Sequence, residues 1–106
     1  MEARRHKRKI VSYPAELIME DKRYACTIEN LSENGIYAVT APQRSSEFTV
    51  GAPIEVRFQP PSGEKQALPC RIKWSYLTPP HGFTSSIGME IIAPPLKYTK
   101  LLESVE

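Results

Sequence analysis

The sequence predicts an all-β fold: a small six-stranded antiparallel barrel with a flexible basic N-terminal arm and a short C-terminal helix. Short segments of alternating apolar and polar residues recur along the chain, and clusters of Pro, Gly, Ser and Asn separate them. Alternation with a period of two is the pattern of strands that bury one face. Six such segments favour a closed barrel, because closure leaves no unpaired sheet edge.

The first half of the chain supplies three predicted strands. Val11 to Met19 alternates, and Pro14 within it indicates an edge or a bulge. A polar turn at 20–22 leads to the second strand, which runs from Tyr24 to a turn at 30–35. The third strand follows at once and ends at Thr40.

The second half begins with a loop rich in Pro, Ser and Gly at 41–51. Alternation then resumes in three further segments, residues 54–58, 70–76 and 87–91. In the segment 70–76, the alternation places Trp74 on the side that faces the core. Two prolines end the sixth strand, and residues 95–105 are predicted to form a helix with Leu101 and Leu102 on its apolar side.

Length and composition indicate one domain spanning residues 1–106, with the arm at 1–9, the barrel at 10–92 and the helix at 95–105. The net charge is +2, and much of the excess lies in residues 4–9, so an anion-binding feature is expected on the arm. No apolar run has the length of a membrane span and no signal-peptide pattern opens the chain, which predicts a cytoplasmic protein without membrane insertion.

Residues that could perform catalysis or bind a metal are scattered. Cys26 and Cys70 are far apart and are expected to be buried and reduced, and His6 and His81 lie in unrelated segments. We therefore expect no enzyme activity, no metal site and no cofactor.

Two short motifs carry the functional information. Arg4 and Arg8 form an R-x-x-x-R pair on the basic arm, and Asn30, Ser32 and Gly35 form an N-x-S-x-x-G turn. Each alone is common, as a solvated tail or as a hairpin connection. Together, ahead of and within a strand-rich domain, they closely resemble the PilZ family of cyclic di-GMP receptors.

The resemblance covers the chain from Arg4 to about Ile92 and implies a six-stranded barrel. The segments Ile72-Lys73-Trp74 and Ile87-Gly88-Met89-Glu90-Ile91 look like later core strands of the family. It also implies a cyclic di-GMP site lined by Arg4, Arg5, Arg8, Asn30, Ser32 and Gly35. Asn30 stands where the family often has Asp, and either side chain offers an acceptor oxygen.

The chemistry of these residue types suits such a ligand. Arginine pairs bidentately with phosphate, stacks on a base, and fits the O6/N7 edge of guanine. Asn30 and Ser32 are two residues apart, so on an extended backbone they point to the same face. Gly35 suits either a turn that needs positive φ or a backbone that approaches the ligand closely.

The leading interpretation is a stand-alone receptor whose mobile arm becomes ordered on the ligand and which signals through an unidentified downstream protein or through self-association. One alternative is a barrel of the same fold that acts only through protein contacts. Another is a small nucleic-acid-binding barrel, which a shortage of predicted surface aromatics disfavours, so no specific nucleic acid is expected. The sequence leaves open whether Arg4/Arg8 or Arg5/Lys9 is the working pair, and whether one ligand or a stacked pair binds.

Overall fold

The structure is a computed structural model, and it describes residues 8–41, 48–61, 63–78 and 84–105. Within these ranges it contains six strands and one helix. They are β1 Lys9–Met19, β2 Lys22–Leu31, β3 Gly35–Thr40, β4 Pro53–Phe58, β5 Gln66–Leu77, β6 Ser85–Ile91 and α1 Leu96–Ser104. No helix in the described part of the chain is long and apolar enough to cross a membrane.

The strands form a closed antiparallel barrel in the order β1-β2-β3-β6-β5-β4. The barrel closes where β1 pairs with β4 over Ala15–Ile18. Each of these strands therefore has a hydrogen-bonded neighbour on both sides, which removes the exposed edges that promote aggregation. The predicted fold class is confirmed.

Inward-facing side chains of the strands, Phe48 from the segment before β4 and Tyr98 of the helix form the core. Members that are essentially inaccessible to solvent are Leu17, Ile28, Leu31, Ala38, Val56, Leu68, Ile72, Ile87 and Tyr98. Leu101 and Leu102 pack against this cluster, as the sequence predicted for the apolar side of the helix. Cys26 and Cys70 are buried free thiols, also as predicted.

Pro14 lies beside an irregularity in β1, where the register with β2 shifts between Ile10 and Tyr13. It also lies just outside the ladder with β4, which begins at Ala15. A proline without a backbone donor is tolerated at such a place. The predicted edge or bulge at Pro14 is consistent with this geometry.

The prediction that Trp74 belongs to the core is wrong. The register of β5 against β6 shifts between Ile72 and Trp74, so Lys73 is an extra residue in the ladder. An added residue reverses the face of every side chain that follows it. Trp74 and Tyr76 consequently lie on the outer surface, with 37% and 50% of their areas exposed.

The element boundaries differ slightly from the sequence pattern. β1 begins at Lys9, inside the predicted arm of residues 1–9, and β5 begins at Gln66, before the predicted start at residue 70. Helix α1 lies within the predicted range 95–105, with Pro95 as its N-cap. Arg4 and Arg5 of the arm lie outside the described residues.

Candidate functional site

Arg8 and Asn30 bring the two sequence motifs into contact. Arg8 Nη1 donates a hydrogen bond to Asn30 Oδ1 at 2.9 Å. The contact follows from the β1–β2 hairpin, in which Ile10 is paired with Asn30 and Lys9 with Leu31, so the start of β1 lies beside the end of β2. Residues 22 positions apart in sequence are thereby placed side by side.

The turn between β2 and β3 is organised by Ser32. Ser32 N donates to Gly35 O at 2.9 Å, and Gly35 N donates to Ser32 Oγ at 3.1 Å. The carbonyl of Asn34 accepts from Ile91 N at 2.7 Å, which ties the turn to the end of β6. The hydroxyl of Ser32 therefore has a structural role in the turn as well as the ligand role that the motif implies.

A cleft of about 380 Å³ opens next to this turn on the outer face of the barrel. Its lining comprises Arg8, Ser32, Asn34, Gly35, Ile36, Tyr37, Lys73, Trp74, Gly88, Met89 and Glu90. The volume lies in the range typical of small-molecule sites. The cleft combines two cations, one carboxylate, two aromatic rings and two glycines.

Not every described motif residue lines this cleft directly. Arg8, Ser32 and Gly35 line it, whereas Asn30 reaches it only through its hydrogen bond to Arg8. Asn34 is also part of the lining, although it occupies one of the unspecified x positions of the motif. Its proximity to Ser32 and Gly35 in the turn was the available signal.

Tyr37 and Trp74 form an aromatic wall of the cleft, and Tyr76, outside the lining, packs against Trp74. Trp74 is stacked on Tyr76 with ring centroids 5.1 Å apart and an interplanar angle of 18°, and Tyr37 is tilted against Trp74 at 5.6 Å. The hydroxyl groups of Tyr37 and Ser86 are hydrogen-bonded at 3.2 Å. The sequence did not predict this wall, because the alternating pattern of residues 70–76 continues through Lys73 and gives no sign of the bulge there.

Gly35 does not have the positive φ that was one of its two expected roles. Among the described glycines only Gly51 has a backbone in that region, with φ 90°. A Cβ atom on Gly35 would lie 3.4 Å from Met89 O and from Ser32 Oγ, which is close to ordinary contact. The fold therefore tolerates a small side chain here, and close approach of a ligand remains the role to test.

Nucleophilic and metal-binding chemistry has little support in the described part of the chain. Burial raises the pKa of Cys26 to about 12, with a smaller contribution from Glu16, and burial raises the pKa of Cys70 to about 12. Both thiols are therefore protonated at neutral pH and poorly nucleophilic. No cluster of three or more potential metal ligands occurs among the described residues.

The sequence as a whole matches the model of the PilZ domain over residues 2–103. The chain belongs to the PilZ domain family. The barrel is similar to the solved structure of the Bacillus subtilis inhibitor of motility MotI (DgrA), with a TM-score of 0.73. That similarity covers 98% of this chain and 53% of the other, at 13% sequence identity.

This PilZ chain thus spans about half the length of the MotI chain, and at such low identity the similarity concerns the fold alone. No curated protein matches the chain in sequence. PilZ domains are binding and adaptor modules rather than enzymes.

Proposed function

We propose that this protein is a receptor for cyclic di-GMP that signals through a partner protein. The observation that carries the proposal is the contact between Arg8 and Asn30 on the rim of the cleft. It joins the two motifs that define the family's ligand site. Asn30 accepts a hydrogen bond from Arg8 and thereby orients the guanidinium without neutralising its charge, which leaves Arg8 able to pair with a phosphate.

The other residues of the cleft complement the rest of the ligand. Lys73 adds positive charge for the second phosphate, and Trp74 offers a ring on which a guanine base can stack. Glu90 is exposed at the cleft, where its carboxylate can accept from the N1–H and N2–H groups of guanine. A dianion with two planar bases requires this combination of groups.

The arm completes the proposed mechanism. Arg4 and Arg5 are close to Arg8 in sequence, and we expect them to close over the bound ligand as an ordered clamp. The Arg8–Asn30 contact favours Arg4/Arg8 over Arg5/Lys9 as the working pair, since Lys9 is already part of β1. Ordering of the arm would create a new surface for the partner in the bacterial cytoplasm, where the messenger acts.

A calorimetric titration of cyclic di-GMP into the purified protein and into Arg8→Ala tests the proposal. Loss of a hydrogen bond to a charged group costs roughly 1.5–3 kcal/mol, so we expect about 10- to 100-fold weaker binding in the variant. Arg23→Ala is the matched control, because Arg23 is an exposed arginine at the other end of β2, paired with Glu16 at 3.3 Å. It should bind as the wild type does.

Two further titrations separate the alternatives. GTP should not compete, and a single-stranded oligonucleotide should not bind, although exposed Trp74 and Tyr76 resemble a base-stacking surface. Absence of binding at tens of micromolar cyclic di-GMP would instead indicate a PilZ barrel that acts through protein contacts alone. Oligonucleotide binding with steep salt dependence would favour the nucleic-acid alternative.

A further inference from the structure

A hydrogen bond connects the turn of the candidate site to the C-terminal helix. The hydroxyl of Tyr98 in α1 donates a hydrogen bond of 2.6 Å to the carbonyl oxygen of Ser32. Tyr98 is 0% exposed, and 66 residues separate the two partners in sequence. Ser32 therefore faces the cleft with its side chain while its carbonyl is held from the interior.

Helix α1 is attached to the barrel by packing, and Tyr98 is its most deeply buried contact, beside the partly buried Leu101 and Leu102. The helix has nine residues, and its N-cap Pro95 makes no side-chain capping bond. Its first turn has no acidic residue and its last turn has no basic residue, so side-chain charges do not stabilise its ends. Helices of this length are not stable alone in water, so packing has to hold it. Tyr98 is the single fully buried residue of α1.

We propose that Tyr98 is a positioning residue of the cyclic di-GMP site, whose hydroxyl holds the Ser32–Gly35 turn in the conformation that the ligand selects. This inference rests on the proposed function. Because one hydrogen bond joins helix and turn, docking of α1 strengthens ligand binding. By thermodynamic linkage, ligand binding stabilises the docked helix to the same extent.

The hydroxyl carries this role, rather than the ring. Burial raises the pKa of Tyr98, so the group remains a protonated donor across the physiological range. The carbonyl of Ser32 is partly buried, so losing its donor is costly, and the turn would rearrange to recover a partner for Ser32 O. Ser32 and Gly35 are bonded to each other and Asn34 O accepts from Ile91 N of β6, whereas the hydroxyl of Tyr98 links the turn to α1.

The test compares Tyr98→Phe with Tyr13→Phe. Both variants lose one phenolic hydroxyl and keep the ring. Tyr13 is partly buried and stacks on Phe58 at 5.8 Å, so it is a matched control away from the turn. We expect cyclic di-GMP to bind about 3- to 10-fold more weakly to Tyr98→Phe, which is the loss of one net hydrogen bond, and unchanged to Tyr13→Phe.

Hydrogen exchange of the α1 amides provides a readout that a merely structural role would not change. In the wild type, saturating cyclic di-GMP should slow exchange in α1, and in Tyr98→Phe this slowing should disappear. The inference is overturned if Tyr98→Phe binds cyclic di-GMP as tightly as the wild type does. It is also overturned if cyclic di-GMP binds to the wild type without slowing hydrogen exchange in α1. A wild type that does not bind at all overturns the proposed function as well, so the two failures are distinguishable.

Discussion

The indole ring of Trp74 lies over Gly88 on the outer face of the barrel. Trp74 and Gly88 are register partners in the β5–β6 ladder. The approach is so close that a Cβ atom on Gly88 would overlap Cε2, Cζ2 and Nε1 of the indole. A glycine within a strand often marks such a close approach. Gly88 therefore determines where the aromatic wall of the cleft stands.

Gly88→Ala should displace Trp74 from the wall while the barrel stays folded. Trp74 is the single tryptophan of the chain, so its fluorescence reports this displacement directly. Base stacking on an aromatic ring contributes about 1–3 kcal/mol, and we expect cyclic di-GMP binding to weaken by about 10-fold or more.

The control for this prediction is a double-mutant cycle. If Gly88→Ala acts through the indole, then Trp74→Ala combined with Gly88→Ala should bind no more weakly than Trp74→Ala alone. Additive losses would mean that Gly88 contacts the ligand by itself.

The sequence predicted the barrel because its signals are local. Alternation along each strand and turn residues between strands identified the six elements, and parity placed Ile72 correctly in the core. The prediction failed one residue later, at Lys73, because a bulge depends on how β5 fits β6 across the barrel. Trp74 was therefore assigned to the wrong face.

The candidate site also contains residues that the sequence could predict and residues that it could not. Arg8, Ser32 and Gly35 could be named from the motifs, since the spacing of each motif is a sequence property. Trp74 joins them through a bulge in β5. The contact from Tyr98 to Ser32 connects residues 66 positions apart, and no local pattern indicates it.

Gly35→Ala separates a ligand role from a folding role. The added methyl group would make contacts of 3.4 Å with Ser32 Oγ and Met89 O, so we expect the free energy of unfolding to change by less than about 1 kcal/mol. Binding should weaken at least 10-fold, because the methyl group occupies the ligand's approach to the turn. Calorimetry and thermal unfolding together measure the two effects.

Gly63→Ala is the matched control, because Gly63 lies outside the cleft lining and its Cβ would meet Pro60 Cγ at 3.1 Å. It should alter stability alone. Unchanged binding in Gly35→Ala would show that the ligand does not approach this backbone.

Gln66 offers a test of the core independent of the ligand. Its side chain is buried with 4% exposed, and its Oε1 has no hydrogen-bond partner among the residues that the structure describes. An unpaired buried acceptor costs about 1–3 kcal/mol. Gln66→Met, which keeps the shape and removes the polar groups, should therefore raise the free energy of unfolding by about 1 kcal/mol in a denaturant titration. A loss of stability would mean that water or another group satisfies the amide.

The buried thiols make the barrel sensitive to alkaline pH. In the unfolded chain a cysteine loses its proton near pH 9, whereas Cys26 and Cys70 in the barrel keep theirs up to about pH 12. Between these values the folded state binds more protons than the unfolded state, so the free energy of unfolding falls as pH rises. Each thiol contributes a slope of up to about 1.4 kcal/mol per pH unit.

Urea titrations at pH 8, 9 and 10 under reducing conditions measure this slope, and the double variant Cys26→Ala with Cys70→Ala provides the comparison. All other ionisable side chains are present in both proteins, so the comparison isolates the contribution of the two thiols. The variant should be less stable at pH 8, because two buried side chains are shortened. Its stability should nevertheless fall less steeply above pH 9. Parallel slopes in the two proteins would mean that the thiols ionise as readily in the folded barrel as in the unfolded chain.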